Sequence, residues 1–255
     1  MIKTYDSFSE AYLGILNDIF NNYDMEETVI KSEKYNHASL IEKLGYKFVI
    51  KEPKELDIYP ITKSEERNKV IRDYIDKEVI LFDDGNDNSD GKMSELSKIW
   101  KIISNPDGTI NSNYGLMIYH TKDAGNLKHQ PDQGYINQWD WAKQRLMHNM
   151  TTLQAILHFN RTTHQWTNNK DQPCTVFIQF LIRNNKLHLY GYMRSNDAVY
   201  GTPYNISYFI RLMHRMKNEL KTRYPNLEIG NYTHNATSLH IYKRNFDKVK
   251  IMLGL

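Results

Sequence analysis

Apolar residues recur at helical spacing near the start of the chain, where Phe8, Tyr12, Leu13, Leu16, Ile19 and Phe20 predict an amphipathic helix over residues 8–21. The period then changes. Residues 45–51 alternate and stop at Pro53, which predicts a strand. Ser64 sits where an N-cap belongs, ahead of a helix over residues 67–82 that the run Asp83-Asp84-Gly85-Asn86-Asp87-Asn88 closes. A short helix over residues 96–103 ends at the turn Asn105-Pro106-Asp107-Gly108, and Asn111-Ser112-Asn113-Tyr114-Gly115 follows as a loop. Residues 139–150 read as a helix and residues 153–160 as a strand.

Two β-rich runs, 176–183 and 186–194, flank Asn184-Asn185, a hairpin signal that brings Cys174 and Arg194 to the same end of paired strands. Residues 204–224 form the longest helical stretch, with Ile206, Phe209, Ile210, Met213 and Met216 at spacings of three and four, the pattern of a buried central helix. Residues 228–235 follow as a strand, and residues 238–242 read as a turn into a short helix. No linker, repeat or low-complexity segment divides the chain, so residues 1–255 are read as a single domain of the α+β or α/β class.

Charge and composition remove several function classes. A net charge of +3 gives no sign of the clustered positive face that grips long nucleic acid, although a small anionic ligand stays open. One cysteine excludes an internal disulfide framework, and the first residues lack the apolar run of a signal peptide. No apolar stretch approaches the length of a membrane span. The expectation is a cytoplasmic protein with no membrane partner and no metal.

The chemistry centres on Cys174. A thiol attacks as thiolate, and a guanidinium such as that of Arg194 favours the charged form. A lone cysteine is most often a small buried hydrophobe with no chemistry. Arg194-Ser195 could clamp a phosphate through charge-assisted hydrogen bonds and a hydroxyl, or could be an ordinary polar turn at a strand end. Residue types and spacing alone leave both pairs of readings open.

Several ordered motifs narrow the choice. Arg194-Ser195-Asn196-Asp197-Ala198-Val199-Tyr200-Gly201-Thr202-Pro203-Tyr204-Asn205-Ile206 resembles the core of the thymidylate synthase superfamily, and Leu239-His240-Ile241-Tyr242 resembles its sugar-binding motif. Ile99-Trp100-Lys101, the run from Gly108 to Gly115, Met193 to Asp197, and Ser238-Leu239-His240 are especially similar to phage-type deoxycytidylate hydroxymethylases. The likeness covers roughly residues 45–250.

The resemblance implies an α+β thymidylate synthase-like fold, with a large mixed sheet, a long central helix and flanking helices. It also implies a homodimer through sheet faces and a folate-dependent reaction on a pyrimidine deoxynucleoside monophosphate. In that chemistry Cys174 adds to C6 of the base, and C5 takes a one-carbon unit from 5,10-methylenetetrahydrofolate. Thymidylate synthases then reduce the resulting exocyclic methylene, whereas hydroxymethylases add water. Glu78 matches the family's proton-relaying glutamate, where partial burial would keep a carboxyl titrating near working pH; read alone it is a solvated helix residue. Tyr114 matches a tyrosine near the nucleophile, and Asp197 a network under the base. His240 and Tyr242 match the pair that bonds the sugar 3′-hydroxyl, against readings as a packed histidine and a core tyrosine. Arg194 and Ser195 fall to the phosphate.

By the same resemblance Asn205 falls at the position expected to read the base, and its amide suits uracil, whereas deoxycytidylate enzymes carry aspartate. Thr175 stands where thymidylate synthases typically have histidine, and Met193 where they have glutamine. Both departures point to hydroxymethylation of dUMP or dCMP, with thymidylate synthesis or a weakly active nucleotide-binding homologue as alternatives. The stretch Thr151-Thr152-Leu153-Gln154 lacks the paired arginines that the family supplies to the phosphate from the partner subunit, leaving Lys143, Arg145 or Arg161 as substitutes. The chain also ends soon after the sugar motif, from which poorer closure over folate is expected, a condition that favours capture by water over hydride transfer.

Overall fold

In a computed structural model, which describes residues 2–29, 38–55, 62–120 and 136–255, the strands form one mixed sheet on which the long helices pack. The elements are β1 (Lys3–Tyr5), α1 (Phe8–Asn21), β2 (Met25–Val29), β3 (Ser39–Ile50), α2 (Glu65–Asp83), α3 (Lys92–Leu96), α4 (Lys98–Ile103) and a π-helical turn at Leu116–His120. They continue with α5 (Gln138–His148), β4 (Ile156–His158), β5 (Thr175–Arg183), β6 (Lys186–Met193), β7 (Asn196–Asp197), α6 (Thr202–Leu220), β8 (Glu228–Tyr242) and α7 (Phe246–Leu253). The sheet order is β1-β3-β8-β6-β5-β4, with β2 added on β3 and β7 on β8. Parallel pairs (β1 with β3, β6 and β7 with β8) and antiparallel pairs coexist, so the α+β class with a large mixed sheet is observed.

Local chemistry accounts for the elements that frame the site. The Ser7 and Ser64 hydroxyls accept from the backbone N–H groups of Glu10 and Arg67, capping α1 and α2. Asn184 and Asn185 both take positive φ, 50° and 57°, as a two-residue hairpin turn requires, and this fixes the β5–β6 register. Pro203 opens α6, whose apolar face carries Ile206, Phe209, Ile210, Met213 and Met216 into the core. That helix is the buried central one that the spacing predicted.

Four expectations need correction. Residues 238–242 are not a turn into a helix: β8 runs unbroken to Tyr242, because Leu239 and Ile241 bury on one face while the backbone pairs with β3 and β7. The helix expected over residues 96–103 is two short helices broken at Ser97, which is extended. The strand at residues 45–51 is the second half of the twelve-residue β3, and the one at residues 153–160 shortens to Ile156–His158. The π turn at Leu116–His120 and the closing helix α7 had no counterpart in the sequence reading.

Candidate active site

Cys174 immediately precedes β5, and Arg194 follows β6. The hairpin register places them side by side: the Arg194 backbone N–H donates to the Cys174 carbonyl at 2.9 Å. The side chain then folds back. Arg194 Nε donates to the Pro173 carbonyl at 3.1 Å, one Nη donates to the Gln172 carbonyl at 2.8 Å, and the same Nη stands 3.8 Å from Cys174 Sγ. Two carbonyls therefore hold a guanidinium against a half-buried thiol, an arrangement that favours thiolate and presents it to solvent.

Thr175 lies next to the thiol and is fully buried. Its hydroxyl donates to the Tyr114 phenol oxygen at 2.8 Å, which ties β5 to the segment after α4. Burial pushes the Tyr114 hydroxyl well above its ordinary range, and charge at Cys174 and Glu78 adds to the effect, so Tyr114 is a neutral hydroxyl. The segment reaches this position through buried polar contacts. Asp171 accepts from the backbone N–H groups of Asn111 and Ser112, and Asn113 donates to the carbonyls of Leu81 and Asn86. Gly115 passes so close to α2 that a Cβ would lie 1.6 Å from the Phe82 carbonyl oxygen.

Glu78 is not a solvated helix residue: only 7% of it is exposed. Tyr74, one turn earlier, donates to its Oε1 at 2.7 Å, and Trp100 Nε1 donates to the Tyr74 oxygen at 3.0 Å. Burial drives the Glu78 carboxyl up to about 7 against the opposing pull of the Tyr74 hydroxyl. A carboxyl titrating there can take or give a proton at neutral pH.

The remaining residues line up along β8 and its neighbours. Asp197 pairs in register with His240, and its Oδ1 accepts from the backbone N–H groups of Val199 and Tyr200 at 2.8 and 3.2 Å, holding the turn into α6. Burial pushes its carboxyl upward, opposed chiefly by His240. His240 is buried and its pKa is lowered by burial, with Asp197 and Glu42 pulling the other way. The Tyr242 ring meets His240 edge-on at 5.0 Å and carries the Arg244 guanidinium 4.6 Å above it. Asn205 Oδ1 accepts from Asn196 Nδ2 at 3.4 Å, and Asn196 Oδ1 accepts from the Thr202 hydroxyl at 2.7 Å. Ser195 is half-buried in the connection between Arg194 and β7.

Two groups thus form. Cys174, Arg194, Thr175 and Tyr114 make one, which Tyr114 couples electrostatically to Glu78; Asp197, His240 and Tyr242 make the other, joined through the β7 turn to Asn205. Sequence reasoning did not single out Tyr74 and Asn196 as site residues, although Tyr74 stands four residues before Glu78 on the same helix face and Asn196 lies inside the Arg-Ser-Asn-Asp motif. Of the suggested substitutes for the absent arginine pair, Lys143 is engaged by Asp140 and Glu219, and Arg145 lies over the Trp141 ring. Leu153 and Gln154 are exposed.

A mixed sheet thus packs on a buried central helix, with a thiol–arginine pair on one hairpin. The fold is similar to that of the thermostable thymidylate synthase A from Bacillus subtilis, with a TM-score of 0.68 and 20% identity over 97% of this chain and 84% of that one. A sequence model described as thymidylate synthase matches residues 11–254, and the chain belongs to that family. It is 29% identical over 158 residues to the deoxycytidylate 5-hydroxymethyltransferase of Enterobacteria phage T6, and 30% identical over 172 residues to thymidylate synthase 1 of Bacillus spizizenii. Those matches cover 60% and 63% of this chain but only 59% and 55% of the relatives.

Proposed function

We propose that this protein catalyses folate-dependent C5 hydroxymethylation of a pyrimidine deoxynucleoside 5′-monophosphate, with Cys174 as the nucleophile. The observation that carries the reading is the Arg194 guanidinium held 3.8 Å from Cys174 Sγ. The thiolate adds to C6, and the ring electrons move toward O4, which makes C5 nucleophilic. The one-carbon unit, at the oxidation level of formaldehyde, would pass from 5,10-methylenetetrahydrofolate to C5; the C5 proton is lost to a base and tetrahydrofolate leaves as its carbon–nitrogen bond breaks, so that C5 carries an exocyclic methylene. Water then adds to the exocyclic carbon as the Cys174–C6 bond breaks, so the product carries CH2OH and the folate is not oxidised.

Glu78, buried and titrating at about 7, is suited to relay protons at O4 and at the departing folate, with Tyr74 fixing its carboxylate. Tyr114, tied to Thr175 on the residue after the thiol, is a neutral hydroxyl that serves the C5 proton through water. The folate fits the surface beside this relay: α4 is anchored to α2 by the Trp100–Tyr74 bond and leaves Ile99 and Ile102 exposed as an apolar platform for a flat ring. Arg194 and Ser195 face the phosphate, and His240 and Tyr242 the 3′-hydroxyl. The Asn196 bond leaves the Asn205 NH2 to donate to O4 and its oxygen to accept from N3–H, which favours uracil.

Hydroxymethylation rather than methylation is supported by the likeness to the phage T6 enzyme and by Thr175. The sheet face opposite the helices carries the stack of half-buried Phe177 on exposed Tyr192, with ring centres 4.4 Å apart, and a second copy is proposed to cover it. The test is product analysis. dUMP or dCMP with methylenetetrahydrofolate should give a hydroxymethyl nucleotide and no dihydrofolate, whereas stoichiometric dihydrofolate would assign thymidylate synthesis instead.

A further inference from the structure

We infer that Glu42, acting through Ser238, is a positioning residue for His240 and sets how strongly the site selects a nucleotide bearing a 3′-hydroxyl. The inference deepens the functional reading above and rests on its assignment of His240 to the sugar.

Glu42 on β3 stands directly opposite His240 on β8 in the antiparallel register, so both side chains leave the same face of the sheet. Asp197 stands opposite His240 on the other side, in the parallel register with β7. Ser238, two residues before His240, shares that face as well. The Ser238 hydroxyl donates to Glu42 Oε2 at 2.5 Å and lies 3.4 Å from His240 Nδ1. Glu42 is only 9% exposed.

A carboxylate in the middle of a sheet face is costly unless hydrogen bonds or opposite charge compensate it. Here the Ser238 hydroxyl meets it, and the imidazole edge lies within reach of the same hydroxyl. With its one proton turned to Glu42, the Ser238 oxygen is an acceptor toward Nδ1. The bond therefore selects the tautomer with the proton on Nδ1 and leaves Nε2 as an acceptor for a sugar hydroxyl. Removal of Glu42 frees the Ser238 proton to turn toward Nδ1, which favours the opposite tautomer.

The test compares binding of dUMP and 2′,3′-dideoxyuridine 5′-monophosphate by calorimetry to wild type, Glu42→Gln, Glu42→Ala, Ser238→Ala and His240→Ala. Wild type should prefer dUMP by about tenfold, the range of one hydrogen bond. Glu42→Ala and Ser238→Ala should bring the ratio close to one. The isosteric Glu42→Gln, whose amide oxygen still accepts from Ser238, should restore most of the preference. A full preference retained in folded Glu42→Ala would overturn the role of Glu42 while leaving the assignment of His240 intact. Loss of the preference in His240→Ala but not in wild type is the sign that the assignment of His240 holds. A wild type that binds both nucleotides equally overturns that assignment, and the role of Glu42 with it. Melting temperatures within a few degrees of wild type confirm that each variant is folded.

Discussion

Arg194 reaches back along its own hairpin so that one Nη both donates to the Gln172 carbonyl, at 2.8 Å, and approaches the Cys174 sulfur to 3.8 Å. The cation is thus positioned by the backbone that precedes the thiol. Arg194→Ala should slow alkylation of Cys174 by iodoacetamide at neutral pH by roughly tenfold, equivalent to about 1.4 kcal/mol of lost thiolate stabilisation. Arg194→Lys should fall between, because a single ammonium cannot hold both carbonyls and the sulfur. Unchanged alkylation rates in both variants would mean that the pair is merely structural.

Glu78 gives the protein a definite pH signature. Its carboxyl titrates at about 7 in the folded protein against an ordinary value of 4.5, so between these limits the native state holds a proton that the unfolded chain has released. Stability should therefore fall as pH rises from about 4.5 to about 7, and the distance between the two values corresponds to about 3 kcal/mol. Denaturant titrations of wild type and Glu78→Gln at pH 5 and pH 8 measure it. Glu78→Gln should be the less pH-sensitive protein over that interval and the more stable one at pH 8.

Tyr74 opposes the burial effect by donating to the carboxylate. Tyr74→Phe removes that donor and should move the Glu78 titration upward. The limb of the pH–rate profile that follows Glu78 should shift to higher pH in this variant, with Trp100 losing its acceptor as well.

Gly115 tests how the Tyr114 segment is held. A methyl group there would penetrate the Phe82 carbonyl, at 1.6 Å, and neither backbone can yield without moving α2 or Tyr114. Gly115→Ala should cost about 2–4 kcal/mol of stability. It should also reduce turnover more than nucleotide affinity.

Asn205 is held by Asn196, which is held in turn by Thr202. Asn205→Asp replaces a donor with an acceptor and should shift the ratio of kcat/KM for dUMP and dCMP toward cytosine. An unchanged ratio would remove Asn205 as the reader of the base.

Much of the site was legible because short-range rules governed it. The Asn184-Asn185 turn fixed the hairpin and with it the Cys174–Arg194 contact, and the spacing of Ile206, Phe209, Ile210 and Met213 marked α6 as the buried helix. What escaped depended on contacts between distant parts of the chain. Residues 238–242 read as a turn because Ser238 and His240 interrupt the apolar pattern, yet β3 and β7 pair with that stretch on both sides and hold it extended. Glu78 was singled out by the family resemblance alone: its own helix is rich in charge and reads as solvated, and it is the packing of Tyr74 and Trp100 around it that buries the carboxyl. Glu42 gave no local signal, since its meaning lies in a residue 196 positions later in the chain.

The most direct measurement is release of tritium from [5-3H]dUMP and [5-3H]dCMP in the presence of methylenetetrahydrofolate, for wild type and Cys174→Ser. The expected result is release from one or both nucleotides by wild type, a hydroxymethyl product without dihydrofolate, and no release above background by the variant. Absence of release from both nucleotides, or equal release by Cys174→Ser and wild type, would contradict the account of Cys174 as the nucleophile.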